Sequence, residues 1–208
     1  MREETTTRTL YTFQELSPEA QQKAIEAYQE RAGVYDDSEE GVYDYAAAIA
    51  DIMGLDINTR QGKNGNYSPN IYYSGFWSQG DGACFEGTYS FKAGSVKAIK
   101  AYAPQDTELH SIALALQHAQ AANFYKVSAT IKHRGHYYHS GCMAIELEHQ
   151  DDSCRDIKNE DDFKQAFRDF ADWIYSSLET EYNYETSEEA AREYLQDDTE
   201  YTIDGARA

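Results

Sequence analysis

Apolar residues recur at helical spacing in the first quarter of the chain. Ser17 followed by Pro18 is typical of a helix start, and the stripe behind them predicts a helix over residues 17–32. A second stripe predicts a helix over about 38–53, and Gly54 is placed to end it. The residues expected to be buried by this second helix are Val42, Tyr45, Ala46, Ile49, Ile52 and Met53.

The middle of the chain changes to short runs rich in Ile, Tyr, Phe and Val that are separated by glycine and asparagine, which is typical of antiparallel strands. Strands are predicted at 55–60, 70–77, 83–91, 125–133 and 142–149. Residues 62–70 are expected to form a loop. Two helices, at about 94–102 and 106–122, interrupt the strands, and the second is expected to bury Leu109, Ile112, Ala113 and Leu116.

Helical spacing returns near the end of the chain. After Asn159 the longest helix is predicted, with one apolar face formed by Phe163, Phe167, Phe170, Ile174 and Leu178. Thr186 and Glu189 resemble a capping box for a last helix, and residues 200–205 are candidates for an edge strand. We therefore predict one α+β domain over 1–208, in which an antiparallel sheet of about five strands packs with N-terminal and C-terminal helices.

Two glycine-rich hairpins contain the candidate chemistry. In GFWSQGDGACFEG, residues 75–87, the simplest role of the glycines is to supply the positive φ angles of a turn. Alternatively, the loop displays Asp81 as a metal ligand or general base beside Cys84 and Glu86. No dinucleotide fingerprint or phosphate-binding loop accompanies it.

Side-chain parity predicts the register of the second hairpin. Facing the apolar sets of its strands requires odd residues to pair with odd residues, and a three-residue loop at 135–137 then pairs Val127 with Ile145 and His133 with His139. Two imidazoles paired in this way would suit a divalent metal, although a hydrogen-bonded pair without a ligand is the favoured interpretation. Cys142 has the opposite parity from His139, which disfavours a Cys–His nucleophilic pair.

If the two hairpins converge, their side chains define one candidate pocket, and any enzyme or sensor function would be centred on Asp81, His133 and His139. No recognised catalytic or zinc-binding motif supports that function, so no cofactor is expected. The pocket residues are Trp77, Asp81, Cys84, Glu86, His133, His136 and His139.

Charge is unevenly distributed along the chain. The formal net charge is −19, and residues 1–54 and 150–208 are strongly acidic, whereas 55–149 is almost neutral. Such a charge repels phosphate backbones and disfavours direct binding to nucleic acid or to an anionic membrane. A basic partner protein is favoured instead; most of the 18 tyrosines are expected at the edges of the core, and some are candidate anchors for the partner.

Acidic residues cluster after residue 150. Their plain interpretation is a solvated helix face, and the sharper one is a set of fixed carboxylates that imitates a phosphate array. The candidate partner-binding residues are Asp151, Asp152, Glu160, Asp161, Asp162, Glu188, Glu189, Asp197 and Asp198.

Three stretches together, ELSPEAQQKAIEAY at 15–28, SGFWSQGDGACFEGTY at 74–89 and HRGHYYHSG at 133–141, resemble a family of small acidic proteins of tailed phages and prophages. The resemblance implies no particular activity, cofactor or catalytic residue. It implies a setting, because accessory phage genes often encode inhibitors of host defence or of host enzymes.

These observations favour a phage-encoded acidic binding protein that inhibits a basic host protein of nucleic-acid handling or of defence. A metal- or nucleotide-dependent enzyme or sensor is the alternative, and a phage structural or assembly factor is a third hypothesis. With no apolar segment long enough to span a membrane and three cysteines without CxxC spacing, the expected location is the host cytoplasm.

Overall fold

A computed structural model of the chain describes residues 7–32, 38–62, 65–151, 156–196 and 200–208. Those ranges contain six α-helices and eight β-strands with antiparallel pairing, so the chain has the predicted α+β fold. The helices are α1 (Pro18–Gln29), α2 (Ser38–Met53), α3 (Ser95–Tyr102), α4 (Thr107–Ala122), α5 (Glu160–Glu185) and α6 (Glu188–Leu195). The strands are β1 (Leu55–Ile57), β2 (Thr59–Gln61), β3 (Tyr67–Pro69), β4 (Ile71–Ser74), β5 (Gly82–Phe85), β6 (Gly87–Ser90), β7 (Val127–His133) and β8 (Met143–His149).

Contacts between residues divide the chain into two compact units, which we describe separately. The central unit is Glu39–Glu179, and the terminal unit combines Met1–Ser38 with Thr180–Ala208. Helix α5 begins in the central unit and ends in the terminal unit. The prediction of one domain, with acidic helical segments at 1–54 and 150–208 around a neutral 55–149, stays a prediction.

The central unit is built on a sheet with the strand order β1-β6-β7-β8, next to which β2 pairs with β3 and β4 pairs with β5. Strand β7 alternates between buried and more exposed positions, as its sequence predicts. The apolar face of α5 packs on these strands, where the ring of Phe170 meets Phe85 of β5 edge-on and the ring of Phe167 meets Tyr89 of β6. All five residues predicted for that face are buried.

The terminal unit has its own small core. Helices α1 and α6 contribute Ala20, Ala24, Ile25, Ala191 and Leu195 to it, together with Phe13, Leu16 and Tyr201. The backbone of Tyr201 forms isolated bridges with Tyr11 and Arg207, so the tail predicted as an edge strand contributes single bridges rather than a strand.

Local signals at helix ends were mostly sound. Ser17 caps α1 by accepting a hydrogen bond from the Ala20 N–H, and Gly54 adopts the positive φ, +89°, that follows α2. The capping box at Thr186 was wrong, because Ser187 accepts the hydrogen bond from Ala190 N–H that starts α6. The prediction that α2 buries Tyr45 was also wrong, because Tyr45 is 41% exposed and Tyr43 is buried instead.

The predicted register of the second hairpin was wrong by four residues. Ile131 pairs with Ile145 and His133 pairs with Met143, so His133 and His139 are not cross-strand neighbours. The parity was right, but a shift of four residues preserves parity, and only the turn distinguishes the two registers. Residues Ser140–Cys142 form a 3-10 turn instead of continuing the strand, which lengthens the connection to 134–142.

Part of the segment predicted as a loop at 62–70 is ordered into a strand. Strand β3 pairs with β2, so that Thr59 lies opposite Pro69 and Gln61 lies opposite Tyr67. The predicted strand at 70–77 ends at Ser74, where Gly75 begins the connection to β5.

Candidate functional site

The two glycine-rich hairpins converge in the central unit. We call residues 75–81 the glycine loop and residues 134–142 the histidine loop. A side chain at Gly80 would lie 3.3 Å from the ring of Tyr137, and a Cβ at Gly82 would lie 2.6 Å from the Cβ of His139. Gly82 is therefore needed because its backbone runs against the histidine loop.

The carboxylate of Asp81 forms hydrogen bonds within the glycine loop. Its Oδ2 accepts hydrogen bonds from the backbone N–H of Trp77 at 2.9 Å and of Ser78 at 2.6 Å. An aspartate that holds its own turn in this way is the arrangement expected from turn chemistry. Trp77, in the same loop, is 77% exposed.

His133 lies in an aromatic stack at the end of β7. Its ring lies 5.1 Å from that of Tyr138 and 5.9 Å from that of Tyr72, and the Arg60 guanidinium covers Tyr72 at 4.9 Å. His133 Nε2 is 3.0 Å from the Tyr137 carbonyl oxygen. The predicted hydrogen-bonded pair of His133 and His139 was wrong, because His133 Nε2 contacts the Tyr137 carbonyl and His139 Nδ1 accepts from the Gly141 N–H.

The remaining candidate pocket residues are in different environments. Glu86 accepts hydrogen bonds from the backbone N–H of His133 and from the side-chain amide of Asn70, whereas His136 is exposed beside Tyr137. The Cys84 side chain is fully buried, and this burial raises the pKa of its thiol to about 12.

The parity argument that disfavoured a pair of Cys142 with His139 was wrong, because the two side chains are in contact. His139 Nε2 lies 3.4 Å from Cys142 Sγ, because the two residues stand at the start and the end of the 3-10 turn, where strand parity does not apply. Within the described ranges, no group of three or more His, Cys, Asp or Glu side chains is arranged to hold a metal ion. The metal- or nucleotide-dependent site stays a prediction.

Of the predicted partner-binding acids, five of the six that the structure describes lie at helix starts. Glu160, Asp161 and Asp162 form the first turn of α5, and Glu188 and Glu189 that of α6, where the helix dipole favours negative charge. Three of the acids are paired: Glu160 with Lys164, Glu188 with Arg192 and Asp151 with Lys126. Asp152, Asp197 and Asp198 lie outside the described residues.

Four carboxylates that the sequence predictions missed lie close together in the central unit. Asp106 and Glu108 start α4, and Asp169 and Asp172 lie on α5; we call this set the anionic array. Burial and the negative charges of Asp106, Asp169 and Asp172 together raise the pKa of Glu108. The i, i+3 spacing of Asp169 and Asp172 was visible in the sequence, but the approach of α4 to α5 was not.

The anionic array has aromatic neighbours. Asp106 Oδ2 accepts a hydrogen bond from Trp173 Nε1–H at 2.8 Å, and its Oδ1 accepts one from the Leu109 N–H, which fixes this carboxylate. Tyr45 packs on Trp173 and stacks on Tyr102, and both tyrosines remain about half exposed, at 41% and 50%.

The terminal unit has a second acidic and aromatic surface. Tyr184 donates a hydrogen bond to Glu193, and this bond, with the charges of Glu193, Glu189 and Glu181, raises the pKa of Tyr184. Tyr28 and Tyr194 are in ring contact at 5.1 Å, and Tyr184 and Tyr194 are about half exposed.

Comparison with known families identifies the chain. Residues 39–188 match a family described as a domain of unknown function, DUF8835. The chain belongs to the DUF8835 family. The match includes the entire central unit, with both loops and the anionic array, and ends one residue into α6.

Comparisons with curated proteins and with solved structures found no match to the DUF8835 chain. The resemblance to phage proteins stays a prediction, since the DUF8835 description names no source and no activity. Over the described ranges, no helix has both the length and the apolar character needed to cross a membrane.

Proposed function

We propose that the chain is an acidic binding protein that inhibits a basic partner, and that the partner is a host protein that handles nucleic acid. The observation that carries the proposal is the anionic array, in which the negative charges of Asp106, Asp169 and Asp172 act on Glu108, with the half-exposed Tyr45 next to Asp106. The resemblance to phage proteins, itself a prediction, directs the proposal to a host target.

The rigidity of the array supports the proposal. Asp106 is held by two hydrogen bonds, and Asp169 accepts one from the Gln165 amide. Carboxylates placed on packed helices lose little conformational freedom when a partner binds, which reduces the entropic cost of association. A disordered acidic tail would have to supply that ordering free energy at the moment of binding.

The charge concentration is the second support. Partial burial is the main cause of the raised pKa of Glu108, and the charges of Asp106, Asp169 and Asp172 raise it further, so the local potential at this carboxyl is negative. Such a potential attracts the lysine- and arginine-rich groove of a protein that binds phosphate backbones. The exposed rings of Tyr45 and Tyr102 add faces on which a guanidinium or ammonium group can stack.

Affinity capture from a bacterial lysate tests the proposal. Three baits are compared: the wild type, an array variant and a control variant. The array variant carries Glu108→Gln, Asp169→Asn and Asp172→Asn. The control variant carries Asp56→Asn, Glu146→Gln and Glu148→Gln, which neutralise three exposed carboxylates elsewhere in the central unit. We expect the wild type and the control to capture the same nucleic-acid-binding protein, duplex DNA to release it, and the array variant to lose it. Equal capture by both variants, or capture that DNA does not affect, would contradict the proposal.

A further inference from the structure

Cys142 and His139 form a contact between a nucleophile and a histidine in the histidine loop. The two residues bracket the 3-10 turn of the histidine loop, and Cys142 Sγ lies 3.4 Å from His139 Nε2. The backbone holds this geometry, because the Cys142 N–H donates to the His139 carbonyl at 2.8 Å and the Arg134 N–H donates to the Cys142 carbonyl at 2.7 Å.

The hydrogen bonds assign the tautomer of His139. Its Nδ1 accepts a hydrogen bond from the Gly141 N–H at 3.1 Å, so in the neutral ring the proton is on Nε2. Nε2–H then points at the sulfur of Cys142 as a donor. The thiolate is the reactive form of cysteine, and a ring N–H beside the sulfur is placed to donate a hydrogen bond to it.

Cys142 is the more exposed of the two cysteines in the described ranges. Cys142 is half-buried, and the neighbouring Gly135 is exposed and has no side chain, although a Cβ there would lie 3.5 Å from Sγ. Cys84 provides an internal contrast, since its side chain is fully buried and the pKa of its thiol is raised to about 12.

We propose that Cys142 is an oxidant-sensitive thiol that reacts with hydrogen peroxide, with the Nε2–H of His139 as the hydrogen-bond donor to its sulfur. A sulfur lone pair attacks one peroxide oxygen, and the O–O bond breaks as the S–O bond forms. The departing hydroxide combines with the proton released by the thiol, so the products are the Cys142 sulfenic acid and one water. Sulfur loses two electrons and peroxide gains them. This proposal is independent of the proposed binding function.

Site-resolved trapping tests the proposal on the full chain. The protein is treated with hydrogen peroxide and dimedone, which captures sulfenic acids, and mass spectrometry follows each cysteine over time; Cys154, outside the described residues, is measured separately. We expect Cys142 to be trapped at least roughly tenfold faster than Cys84, because reactivity follows thiolate character and exposure. Equal rates at Cys142 and Cys84 would overturn the proposal.

Two variants test the role of the donor. In His139→Asn the amide oxygen still accepts the Gly141 N–H, but the donor to the sulfur is lost. We expect the trapping rate at Cys142 to fall roughly three- to tenfold, since hydrogen bonds to charged groups are strong but nucleophilicity partly compensates. His136→Asn, which changes an exposed histidine of the same loop, should leave the rate unchanged. An unchanged rate in His139→Asn would remove His139 from the proposal, and the ratio of Cys142 to Cys84 in the wild type tests the thiol even if this variant folds poorly.

Discussion

At the scale of single residues, neighbours decide what each carboxyl group does for stability. Glu15 accepts hydrogen bonds from the N–H and the hydroxyl of Thr12, and these bonds lower its pKa. Burial and the anionic array instead raise the pKa of Glu108. The first carboxylate is therefore stabilised by folding, and the second is destabilised by it.

We expect opposite pH dependences for the variants Glu108→Gln and Glu15→Gln. A carboxyl group whose pKa is raised by folding lowers the free energy of unfolding once the pH exceeds its ordinary pKa of 4.5. Glu108→Gln should therefore be more stable than the wild type at neutral pH and as stable as the wild type below pH 4.5. Glu15, with a lowered pKa, contributes stability that is lost as the pH falls through its folded pKa, so Glu15→Gln should be less stable at neutral pH. Urea unfolding between pH 3 and pH 8 measures both differences, and the same sign for both would contradict this account.

Asp81 allows a separate test at this scale. Asp81→Ala removes the acceptor of two backbone N–H groups in the glycine loop, and we expect it to lower the free energy of unfolding by about 1–2 kcal/mol. Asp81→Asn keeps a carbonyl oxygen at the same place and should lose less. If the two variants were equally stable, the carboxylate oxygen would not be holding the loop.

At the scale of elements, most predictions that rested on local signals were confirmed, and the capping box at Thr186 was the exception. The capping by Ser17 and the aromatic face of α5 each depend on residues within one or a few turns of one helix, and both were confirmed. The register of β7 with β8 depended on the shape of a loop, and alternation alone cannot distinguish registers that differ by an even number of residues. The anionic array could not be predicted, because it needs the tertiary contact that brings Asp106 and Glu108 to Asp169 and Asp172.

The convergence of the two loops is testable with two glycine variants. A methyl group at Gly82 would lie 2.6 Å from the Cβ of His139, so we expect Gly82→Ala to lower the free energy of unfolding by about 1–3 kcal/mol. Gly41, on α2, has open space around its Cβ position, and Gly41→Ala should raise the free energy of unfolding by up to about 1 kcal/mol. A neutral Gly82→Ala in denaturant unfolding would mean that the loops do not meet.

At the scale of the whole molecule, negative charge is carried by both units. The sequence of the terminal unit carries 17 acids and 6 bases, and that of the central unit carries 20 acids and 12 bases. The anionic array takes Asp106 and Glu108 from the segment 55–149 and Asp169 and Asp172 from the acidic segment 150–208. The proposed recognition of a basic partner therefore uses carboxylates that are distant in the sequence and that all lie within the DUF8835 region.

The most direct test of the central claim is the salt dependence of binding to the captured partner. Dissociation constants are measured between 50 and 300 mM salt for the wild type, the array variant and the variant neutralised at Asp56, Glu146 and Glu148. We predict that affinity falls steeply with salt for the wild type and the control, and that the array variant binds more weakly with a shallower slope. Identical slopes and affinities for the two variants would contradict the claim that the anionic array recognises the partner.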